Sequence, residues 1–375
     1  MAKYFLIAGE ASGDMHAAAL MAQIKQRDPE VQFTGLGGDR MEAAGCRLLQ
    51  HTRHMAFMGF AAVLANMSQV RRNFRLAEQG LLTEQPDALI LIDYPSFNLR
   101  MAAFCRKHLP QTKIYYYIPP KVWAWKKWRV HRIARLCDEV LGIFPFEPSF
   151  YAKYGYRCTY VGHPTAEELR AERTKGEGVK DGRLKGERLK VIALLPGSRP
   201  SEITNCLPRM LEAARRFPDY HIVVSAAPGI EEHFYTPYLR EGEILTRDTY
   251  AAVQQAAAAV VNSGTATLET ALLGCPQVAV YHLACSRLIG LLRPLKPLVF
   301  SIPYFTPVNI IAGKEVIKER LVDEFTTDSV AAELQRLLND EQYKKEMLAD
   351  YEHLYTLLGS LPASVTAARI ITSRP

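Results

Sequence analysis

The stretch that decides the fold lies near the N-terminus, where residues 4–14 read YFLIAGEASGD. A short apolar run, typical of one buried strand, leads into a glycine turn and then into an Ala-, Leu- and Met-rich segment typical of a helix. Residues 191–202, VIALLPGSRPSE, repeat this plan. A glycine turn at the carboxyl end of a buried strand leaves backbone N–H groups and the positive end of a helix facing a ligand. Two such units predict two α/β domains facing each other across a cleft.

Length and composition are those of a globular protein with more than one domain. At 375 residues the chain exceeds the size at which one core usually keeps growing. The formal net charge of +7 favours an acidic partner, such as phosphate, nucleotide or anionic lipid, without choosing among them. The seven cysteines contain no C-x-x-C pair, so we expect neither a zinc site nor disulfides, and a reduced cytosolic compartment fits best. No apolar run approaches the roughly 18 residues needed to span a bilayer, which predicts a soluble or peripheral protein.

Continuous apolar runs alternate with helical segments in both halves of the chain. Such runs are typical of strands buried on both faces, so we expect mostly parallel sheets covered by helices, in two doubly wound Rossmann-like domains. In the first half the predicted strands are Tyr4–Ala8, Val31–Leu36, Ala88–Ile92, Lys113–Ile118, Glu139–Phe144 and Cys158–Val161. In the second half they are Val191–Leu195, His221–Ala226, Glu243–Thr246, Ala258–Asn262 and Gln277–Tyr281. Two or three helices are predicted from Ser329 to the end.

A change of composition divides the chain. Residues 171–190 are basic, rich in glycine and almost without apolar side chains, which predicts a linker or an exposed loop. We therefore expect an N-terminal domain over residues 1–170 and a C-terminal domain over residues 191–355. A final helix over residues 356–375 is expected, with a crossing back to the first domain as one possibility.

Several nucleotide-binding motifs are absent. Residues 35–38 read GLGG, but the dinucleotide spacing G-x-G-x-x-G fails because Arg40 occupies the last position. Neither a P-loop nor an Asp-x-Asp pair occurs, which disfavours a P-loop nucleotidase and metal-dependent sugar transfer. We expect no metal and no other cofactor.

The turn at residues 197–202 combines backbone donors with a guanidinium group. Gly197 and Ser198 offer free amides, Arg199 offers a planar fork that suits a diphosphate, and Glu202 opens the next helix. A helix-capping turn with a surface arginine explains this motif equally well when it is taken alone.

A second turn of the same kind strengthens the nucleotide hypothesis. Residues 262–269, NSGTATLE, follow a predicted strand and open a helix. Ser263, Gly264 and Thr265 would present amides and hydroxyls at its N-terminus, and Glu269, one turn further on, could reach ribose hydroxyls.

The candidate general base is Asp93, which comes directly after the strand Ala88–Ile92. Ligands of open parallel sheets bind at that position, and a carboxylate there could take a proton from a hydroxyl nucleophile. An aspartate before a Tyr-Pro turn is also a common capping residue. Glu10, Asp14 and His16, in the first turn of the first helix, are rival bases or substrate contacts.

Three stretches combine apolar and basic residues, which favours a lipid surface. The first, residues 55–65, is apolar and is followed by Arg71, Arg72 and Arg75. The second, residues 123–128, contains three tryptophans and two lysines. The third, residues 286–296, again combines apolar residues with arginine and lysine. An apolar helix is nevertheless more often part of a core. A nucleic-acid surface lacks a recognised module here, so no nucleic acid is expected. The predicted membrane or acyl contacts are Phe57, Met58, Phe60, Leu64, Trp123 and Trp125.

Seven motifs, in order and spacing, resemble the lipid-A-disaccharide synthase family, which are glycosyltransferases of lipopolysaccharide biosynthesis. The motifs are GEASGD at 9–14, MG at 58–59, ID at 92–93, PKVWAW at 120–125, LPGSR at 195–199, SGTATLE at 263–269 and NIIAGKE at 309–315. Each motif is weak by itself, but the ordered set extends from Tyr4 to about Glu319.

The resemblance implies a two-domain GT-B fold and a metal-independent reaction. In that reaction 2,3-diacylglucosamine passes from UDP to 2,3-diacylglucosamine 1-phosphate with inversion, which forms a β-1,6 linkage. It also implies a location on the cytoplasmic face of the inner membrane of a Gram-negative bacterium, with anionic lipid as a partner. A homodimer is possible.

The resemblance also assigns roles to residues. Asp93 would accept the proton of the 6-hydroxyl. The first domain would bind the acceptor through Glu10, Ser12, Gly13, Asp14 and His16. The second domain would bind the UDP-sugar through Gly197, Ser198, Arg199, Glu202, Ser263, Gly264, Thr265, Glu269 and Asn309.

This chain departs from the family pattern at two places. Residues 118–121 read IPPK where the family has Ser-Pro, so no serine role is transferred there. Residues 93–98 read DYPSFN where the family often has a second aspartate, and this loss places more weight on Asp93.

Two other functions stay open at this point. A UDP-N-acetylglucosamine 2-epimerase would use the same fold and nucleotide site, but it needs no acceptor pocket. A non-catalytic peripheral lipid-binding protein could also keep a GT-B shell.

Overall fold

The computed structural model describes residues 1–55, 67–124, 126–169, 190–282, 304–359 and 361–373. These residues form two compact units. Unit 1 comprises the described residues of Met1–Glu167 together with the last helix of the chain, and unit 2 comprises those of Glu168–Gly359. The prediction of two α/β domains is confirmed.

Unit 1 is built on a seven-stranded sheet in which every pair of neighbours is parallel. The strand order is β3-β2-β1-β4-β5-β6-β7. The strands are β1 (Lys3–Ala8), β2 (Gln32–Gly37), β3 (Cys46–His51), β4 (Ala88–Ile92), β5 (Lys113–Tyr117), β6 (Glu139–Gly142) and β7 (Thr159–Tyr160). The central strand β4 is buried along its whole length, as expected for a sheet covered on both faces.

Helices connect the strands of unit 1. They are α1 (Ala11–Lys25), α2 (Asp39–Ala43), α3 (Met67–Glu84), α4 (Pro95–His108), α5 (Arg129–Leu136) and α6 (Glu147–Ala152). Residues 164–169 are also helical. A hydrophobic core between the sheet and these helices includes Phe5, Leu91, Met101 and Tyr116.

Unit 2 repeats the architecture with six parallel strands in the order β10-β9-β8-β11-β12-β13. The strands are β8 (Val191–Leu195), β9 (His221–Ser225), β10 (Ile244–Thr246), β11 (Ala258–Asn262), β12 (Gln277–Tyr281) and β13 (Glu319–Leu321). The helices are α7 (Pro200–Ala214), α8 (Thr249–Gln255), α9 (Thr265–Leu272), α10 (Pro307–Ala312), α11 (Thr327–Asn339) and α12 (Glu341–Leu358).

The last helix, α13 (Ala363–Thr372), belongs to unit 1, where it packs on α1. The Ser364 hydroxyl donates to the Glu167 carboxylate at 2.7 Å, which ties the helix to the end of unit 1. The described residues after 326 form three helices, in agreement with the two or three predicted.

By length and composition alone, Glu341–Thr372 could cross a membrane. The stretch contains two helices, however, because α12 ends at Leu358 and Gly359 adopts a left-handed φ of 66° before α13 begins. Of its most apolar part, 47% is buried inside the protein.

Each sheet has a point where the strand order reverses. In unit 1 the first strand, β1, lies between β2 and β4; in unit 2 the first strand, β8, lies between β9 and β11. In unit 1, the connections that follow β1 and β4 therefore lead to opposite faces of the sheet. They leave a crevice at the carboxyl ends of these two strands, and ligands bind in this crevice in folds of this class. The turns after β1, β4, β8 and β11 are those that the sequence motifs occupy.

The predicted strands correspond closely to the observed ones. The bounds of β4, β8, β11 and β12 are as predicted, and two edge strands, β3 and β13, were not predicted.

Candidate active site

The turn after β4 carries Asp93 in a strained backbone conformation. Asp93 and Tyr94 have left-handed φ values of 44° and 45°, which non-glycine residues rarely adopt. The Asp93 amide donates to the Ile118 carbonyl at 3.2 Å. The Asp93 carbonyl accepts from the Tyr116 hydroxyl at 2.8 Å and from Asn98 Nδ2 at 2.7 Å. These hydrogen bonds hold the turn in its strained conformation. Strained backbone of this kind is common at functional sites.

Asp93 lines a cavity of about 250 Å³ in unit 1. Three cationic side chains, Lys121, Lys126 and Arg129, share the lining with it. The rest of the wall is apolar and is formed by Pro95, Ile118, Pro119, Pro120, Val122, Ile143 and Phe144. Ile118 and Lys126 also have left-handed backbones, with φ values of 59° and 54°, so backbone strain surrounds the cavity.

The protein around Asp93 changes its acidity. Asp93 keeps a solvent-exposed face, but removal of water by the surrounding protein raises the pKa of its carboxyl. The positive charge of Lys121 and a hydrogen bond from the Tyr94 amide act in the opposite direction and lower that pKa. A carboxylate with a raised pKa is a better proton acceptor, as a general base requires.

The turn after β1 lies directly against the turn after β4. A Cβ atom added to Gly9 would lie 2.2 Å from Cγ of Tyr94, so only glycine allows this contact. Glu10 lies close enough to raise the pKa of the Tyr94 hydroxyl, after the larger effect of burial. Gly13 packs α1 on the sheet beside Ala8, and Ser12 is exposed.

Asp14 has a structural role. Its carboxylate accepts from the backbone amides of Gly38 at 2.7 Å, Arg40 at 3.0 Å and Met41 at 3.0 Å. The side chain is 5% exposed and caps the N-terminus of α2. We therefore leave Asp14 out of the proposed acceptor site.

Two histidines near the cavity are held neutral. Burial lowers the pKa of His16 to about 4. Burial, together with the smaller effects of Lys121 and His16, lowers the pKa of His163 to about 3. His163 is buried, and its Nδ1 has no hydrogen-bond partner among the described residues.

Trp123 lies inside unit 1 and is 5% exposed. Its indole N–H donates to Glu147 at 3.2 Å, and its ring packs edge-on against Phe144 and Phe146. Burial raises the pKa of Glu147 to about 7. This placement corrects the expectation that Trp123 contacts a membrane.

Of the two tryptophans that the structure describes in this segment, Trp128 is the exposed one, at 60%. The other predicted membrane or acyl contacts, Phe57, Met58, Phe60, Leu64 and Trp125, lie outside the described residues.

In unit 2, donors of the turn after β8 bind a carboxylate of the protein itself, that of Glu202. The Glu202 carboxylate accepts from the Ser198 amide at 3.0 Å and from the Arg199 guanidinium at 2.6 Å. Gly197 has a φ of 127°, and a Cβ there would lie 2.6 Å from a Glu202 carboxylate oxygen. Glu202 therefore positions Arg199, whose side chain stays 48% exposed.

The turn after β11 leaves its donors open. The Ser263 amide is used, since it donates to the Val280 carbonyl at 2.7 Å. Within the part of the chain that the structure describes, the amides of Gly264, Thr265 and Ala266 have no hydrogen-bond acceptor. Nothing lies within 4 Å of the place where a Gly264 Cβ would be. These amides form the positive N-terminus of α9, where a phosphate group would be stabilised.

Glu269 follows on the first turns of α9. Burial, together with the charge of Glu168, raises the pKa of Glu269 to about 7. Among the described residues no hydrogen-bond donor reaches its carboxylate. Donors from a ligand would stabilise the ionised form.

Asn309 has no remaining hydrogen-bonding capacity. Its Oδ1 accepts from the amides of Val316 at 2.8 Å and Ile317 at 3.0 Å, while its Nδ2 donates to the Ile317 carbonyl and the Glu319 carboxylate. The side chain is 0% exposed. In this structure it holds the segment after α10, and we leave it out of the direct UDP contacts.

The sequence profile of the family described as lipid-A-disaccharide synthetase matches residues 4–366. A relative from Geobacter sulfurreducens, named lipid-A-disaccharide synthase, is 35% identical over 98% of this chain and 96% of its own length. The chain belongs to the lipid-A-disaccharide synthase family. It is therefore a glycosyltransferase.

Solved structures with the same fold include glycosyltransferases and epimerases. The kitacinnamycin glycosyltransferase has a TM-score of 0.63 and 12% identity, covering 99% of this chain and 98% of its own. The UDP-GlcNAc 2-epimerase of Methanocaldococcus jannaschii, solved with UDP-GlcNAc and UDP, has a TM-score of 0.61 and 11% identity, covering 99% of both chains. At such low identities the structural likeness shows the fold alone. It confirms the predicted two-domain GT-B class. Membership of the synthase family favours neither the epimerase nor the non-catalytic alternative.

In this lipid-A-disaccharide synthase family member, the predicted residues lie in two groups. Unit 1 brings Gly9 and Glu10 beside the Asp93 turn, and unit 2 places residues 197–202 and 263–269 at the switch point of its own sheet. The three cations that line the cavity were not predicted as a set. The signal was present, because Lys121, Lys126 and Arg129 lie within nine residues of one another. The lysines among the tryptophans at 123–128 instead favoured a membrane surface, and Lys121 was placed only in the PKVWAW motif.

Proposed function

We propose that this chain transfers 2,3-diacylglucosamine from UDP to the 6-hydroxyl of 2,3-diacylglucosamine 1-phosphate. The products are a β-1,6-linked disaccharide 1-phosphate and UDP. The observation that carries the proposal is the position of Asp93, an accessible carboxylate with a raised pKa in a cationic cavity at the switch point of unit 1. The printed names of the family and of its relatives supply the substrate class.

Asp93 acts as the general base. Its carboxylate accepts the proton of the acceptor 6-hydroxyl while the oxygen attacks the anomeric carbon of the donor. The bond between that carbon and the UDP oxygen breaks on the opposite face, which inverts the configuration. Positioned acid–base catalysis of this kind typically contributes about 10²–10⁴-fold in rate.

Unit 2 binds the nucleotide. The open amides of Gly264, Thr265 and Ala266 and the guanidinium of Arg199 stabilise the charge that develops on the departing diphosphate. The Glu269 carboxylate accepts hydrogen bonds from the ribose hydroxyls, which supply donors that the described residues do not offer it.

Unit 1 binds the acceptor. Glu10 lies near Tyr94, Ser12 and His16 follow on the first turns of α1, and Gly13 allows α1 to lie close to the sheet. Because the pKa of His16 is about 4, its imidazole is neutral at physiological pH and can act as a hydrogen-bonding group but not as a cation.

The acyl chains of both substrates require access to a lipid surface. We propose a peripheral location on the cytoplasmic face of the inner membrane, with anionic lipid as a partner. The exposed Trp128 and the basic residues around it support this, since tryptophan and cations favour the bilayer interface. A homodimer stays a prediction.

The reaction is tested by mass spectrometry of products from the two diacylated glucosamine substrates. A disaccharide 1-phosphate that forms only when both substrates are present is the expected result. Conversion of the UDP-sugar alone would support the epimerase instead, and no conversion at all would support the non-catalytic alternative.

Membrane association is tested separately by sedimentation with anionic vesicles. Binding should weaken with salt and with Trp128→Glu or Phe57→Glu. Lys153→Gln is the matched control, since Lys153 is an exposed residue directly after α6. Sedimentation that none of these changes alters would contradict the membrane proposal.

A further inference from the structure

The cavity beside Asp93 has an excess of positive charge. Its lining contains one carboxylate, that of Asp93, and the three cations Lys121, Lys126 and Arg129. Among the described residues, no carboxylate lies within ion-pair distance of Lys121 or Arg129. The charge of Lys121 acts on the carboxyl groups of Asp93 and Glu147 from further away. Lys121 also lies over the ring of Phe144, and Arg129 lies over the ring of Trp128. A cavity with this balance favours an anionic ligand.

The backbone presents these cations in a defined way. Pro119 and Pro120 fix the φ angles immediately before Lys121, and the Val122 amide donates to the Pro120 carbonyl at 2.6 Å. Lys126 has a left-handed φ of 54°, and its carbonyl accepts from the Arg129 amide at 2.9 Å. The strained turn thus brings residues 126 and 129 to the same cavity wall.

One cation would be enough to tune the acidity of Asp93. The additional two need another reason, and the chemistry of the proposed acceptor offers one. In a pyranose, the carbon that bears the 6-hydroxymethyl group and the anomeric carbon both bond to the ring oxygen. An acceptor with its 6-hydroxyl at Asp93 therefore places its 1-phosphate about one sugar ring away.

The size of the cavity agrees with such a ligand. Pockets for drug-sized ligands occupy roughly 300–1,000 Å³. The present cavity, at about 250 Å³, has room for a sugar phosphate head group, while the acyl chains extend outside it.

We propose that Lys121, Lys126 and Arg129 form a subsite for the phosphate monoester of the acceptor sugar. The proposal rests on the proposed function, because it takes the acceptor 6-hydroxyl to lie at Asp93. The subsite selects phosphorylated over unphosphorylated acceptors and fixes the ring so that the 6-hydroxyl faces the base.

The kinetic test compares Lys121→Gln and Arg129→Gln with the wild type in neutral detergent micelles. The acceptor is 2,3-diacylglucosamine with or without its 1-phosphate. For the phosphorylated acceptor KM should rise roughly 10- to 100-fold, as expected for loss of a hydrogen bond between charged groups. The KM for the UDP-sugar, and the KM for the acceptor without phosphate, should stay within about twofold.

Lys107→Gln is the matched control, since Lys107 is an exposed lysine on α4 that does not line the cavity. It should leave all constants unchanged. An unchanged KM for the phosphorylated acceptor in both cavity variants would overturn the proposal. So would a rise in the KM for the UDP-sugar, which would assign the cations to the donor diphosphate. A defect seen only on anionic vesicles would overturn it as well, in favour of lipid head groups.

A binding experiment separates this subsite from the proposed function. In the Asp93→Asn background, titration calorimetry measures the affinity for diacylglucosamine 1-phosphate with and without Arg129→Gln. A weaker affinity in the double variant supports the subsite even when the wild type forms no disaccharide. Equal affinities, together with normal disaccharide formation by the wild type, would leave the function intact and contradict the subsite.

Discussion

The ring of Tyr94 packs on the backbone of Gly9, so closely that a Cβ at residue 9 would lie 2.2 Å from Cγ of the ring. The contact joins the turn after β1 to the turn after β4 at the switch point of unit 1. Tyr94 follows Asp93 directly, and its hydroxyl donates to the Met55 carbonyl at 2.9 Å. The position of the proposed base therefore depends on a glycine that is far away in the sequence.

Gly9→Ala should displace Tyr94 and destabilise unit 1, because a new methyl group would overlap the ring. Overpacking of this kind costs about 1–3 kcal/mol. Urea denaturation of the single variants and of the double variant Gly9→Ala/Tyr94→Ala measures the effect. In the Tyr94→Ala background, where the ring is absent, Gly9→Ala should leave the free energy of unfolding almost unchanged. An equal cost in both backgrounds would show that the ring is not the cause.

Lys121 should influence the pH dependence of the reaction. Its charge lowers the pKa of Asp93, and the base must be ionised to act. Lys121→Gln removes that charge, so the pKa rises and the acidic limb of the profile of kcat/KM moves to higher pH. Lys121→Arg keeps the charge and should keep the limb in place. A limb at the same pH in both variants would mean that Lys121 and Asp93 are not coupled.

Glu269 should make UDP binding depend on pH near neutrality. Its pKa is about 7, and ribose hydroxyls donate to its ionised form, so affinity should fall as the pH drops through 7. Glu168→Gln removes a negative charge that raises this pKa, and it should move the transition to lower pH. Calorimetric titration of UDP from pH 6 to pH 8 measures both.

Glu269→Gln is the control for protonation of UDP itself. This variant should bind UDP more weakly and lose the part of the pH dependence that belongs to the protein. If it keeps the wild-type pH dependence, Glu269 is not the titrating group.

Arg199 should contribute strongly to UDP affinity. Arg199→Gln removes a charge-assisted hydrogen bond to the diphosphate, and loss of such a bond weakens binding roughly 10- to 100-fold. Arg216→Gln is a suitable comparison, since Arg216 is an exposed arginine of unit 2 that pairs with Asp328. If the two variants lower the affinity equally, only a general charge effect would be involved.

Much of the fold could be predicted from apolar runs. The strands β4, β8, β11 and β12 are almost entirely buried, and glycine, proline or polar turn residues end them, so their bounds were visible. The two missed strands, β3 and β13, lie at sheet edges and contain charged residues such as Arg47 and Arg320. Edge strands carry such residues because one side is not paired, and this hides them from a search for apolar runs.

The candidate site could be predicted only in part. Turns at the ends of strands identified Asp93 and residues 197–202 from local sequence. The roles of Asp14 and Trp123 depend on partners 24 residues away, Gly38 and Glu147, which no local pattern reveals. Local sequence predicts where a polar residue follows a strand, whereas only the packing shows whether that residue faces a ligand or a neighbouring amide.

The central claim is that Asp93 takes the proton from the acceptor, and single-turnover kinetics of Asp93→Asn tests it most directly. Asparagine tolerates the left-handed backbone at this position and keeps the size of the side chain. The account predicts that disaccharide formation slows about 10²–10⁴-fold while the affinity for the UDP-sugar stays unchanged. Disaccharide formation within a few-fold of the wild-type rate would contradict it.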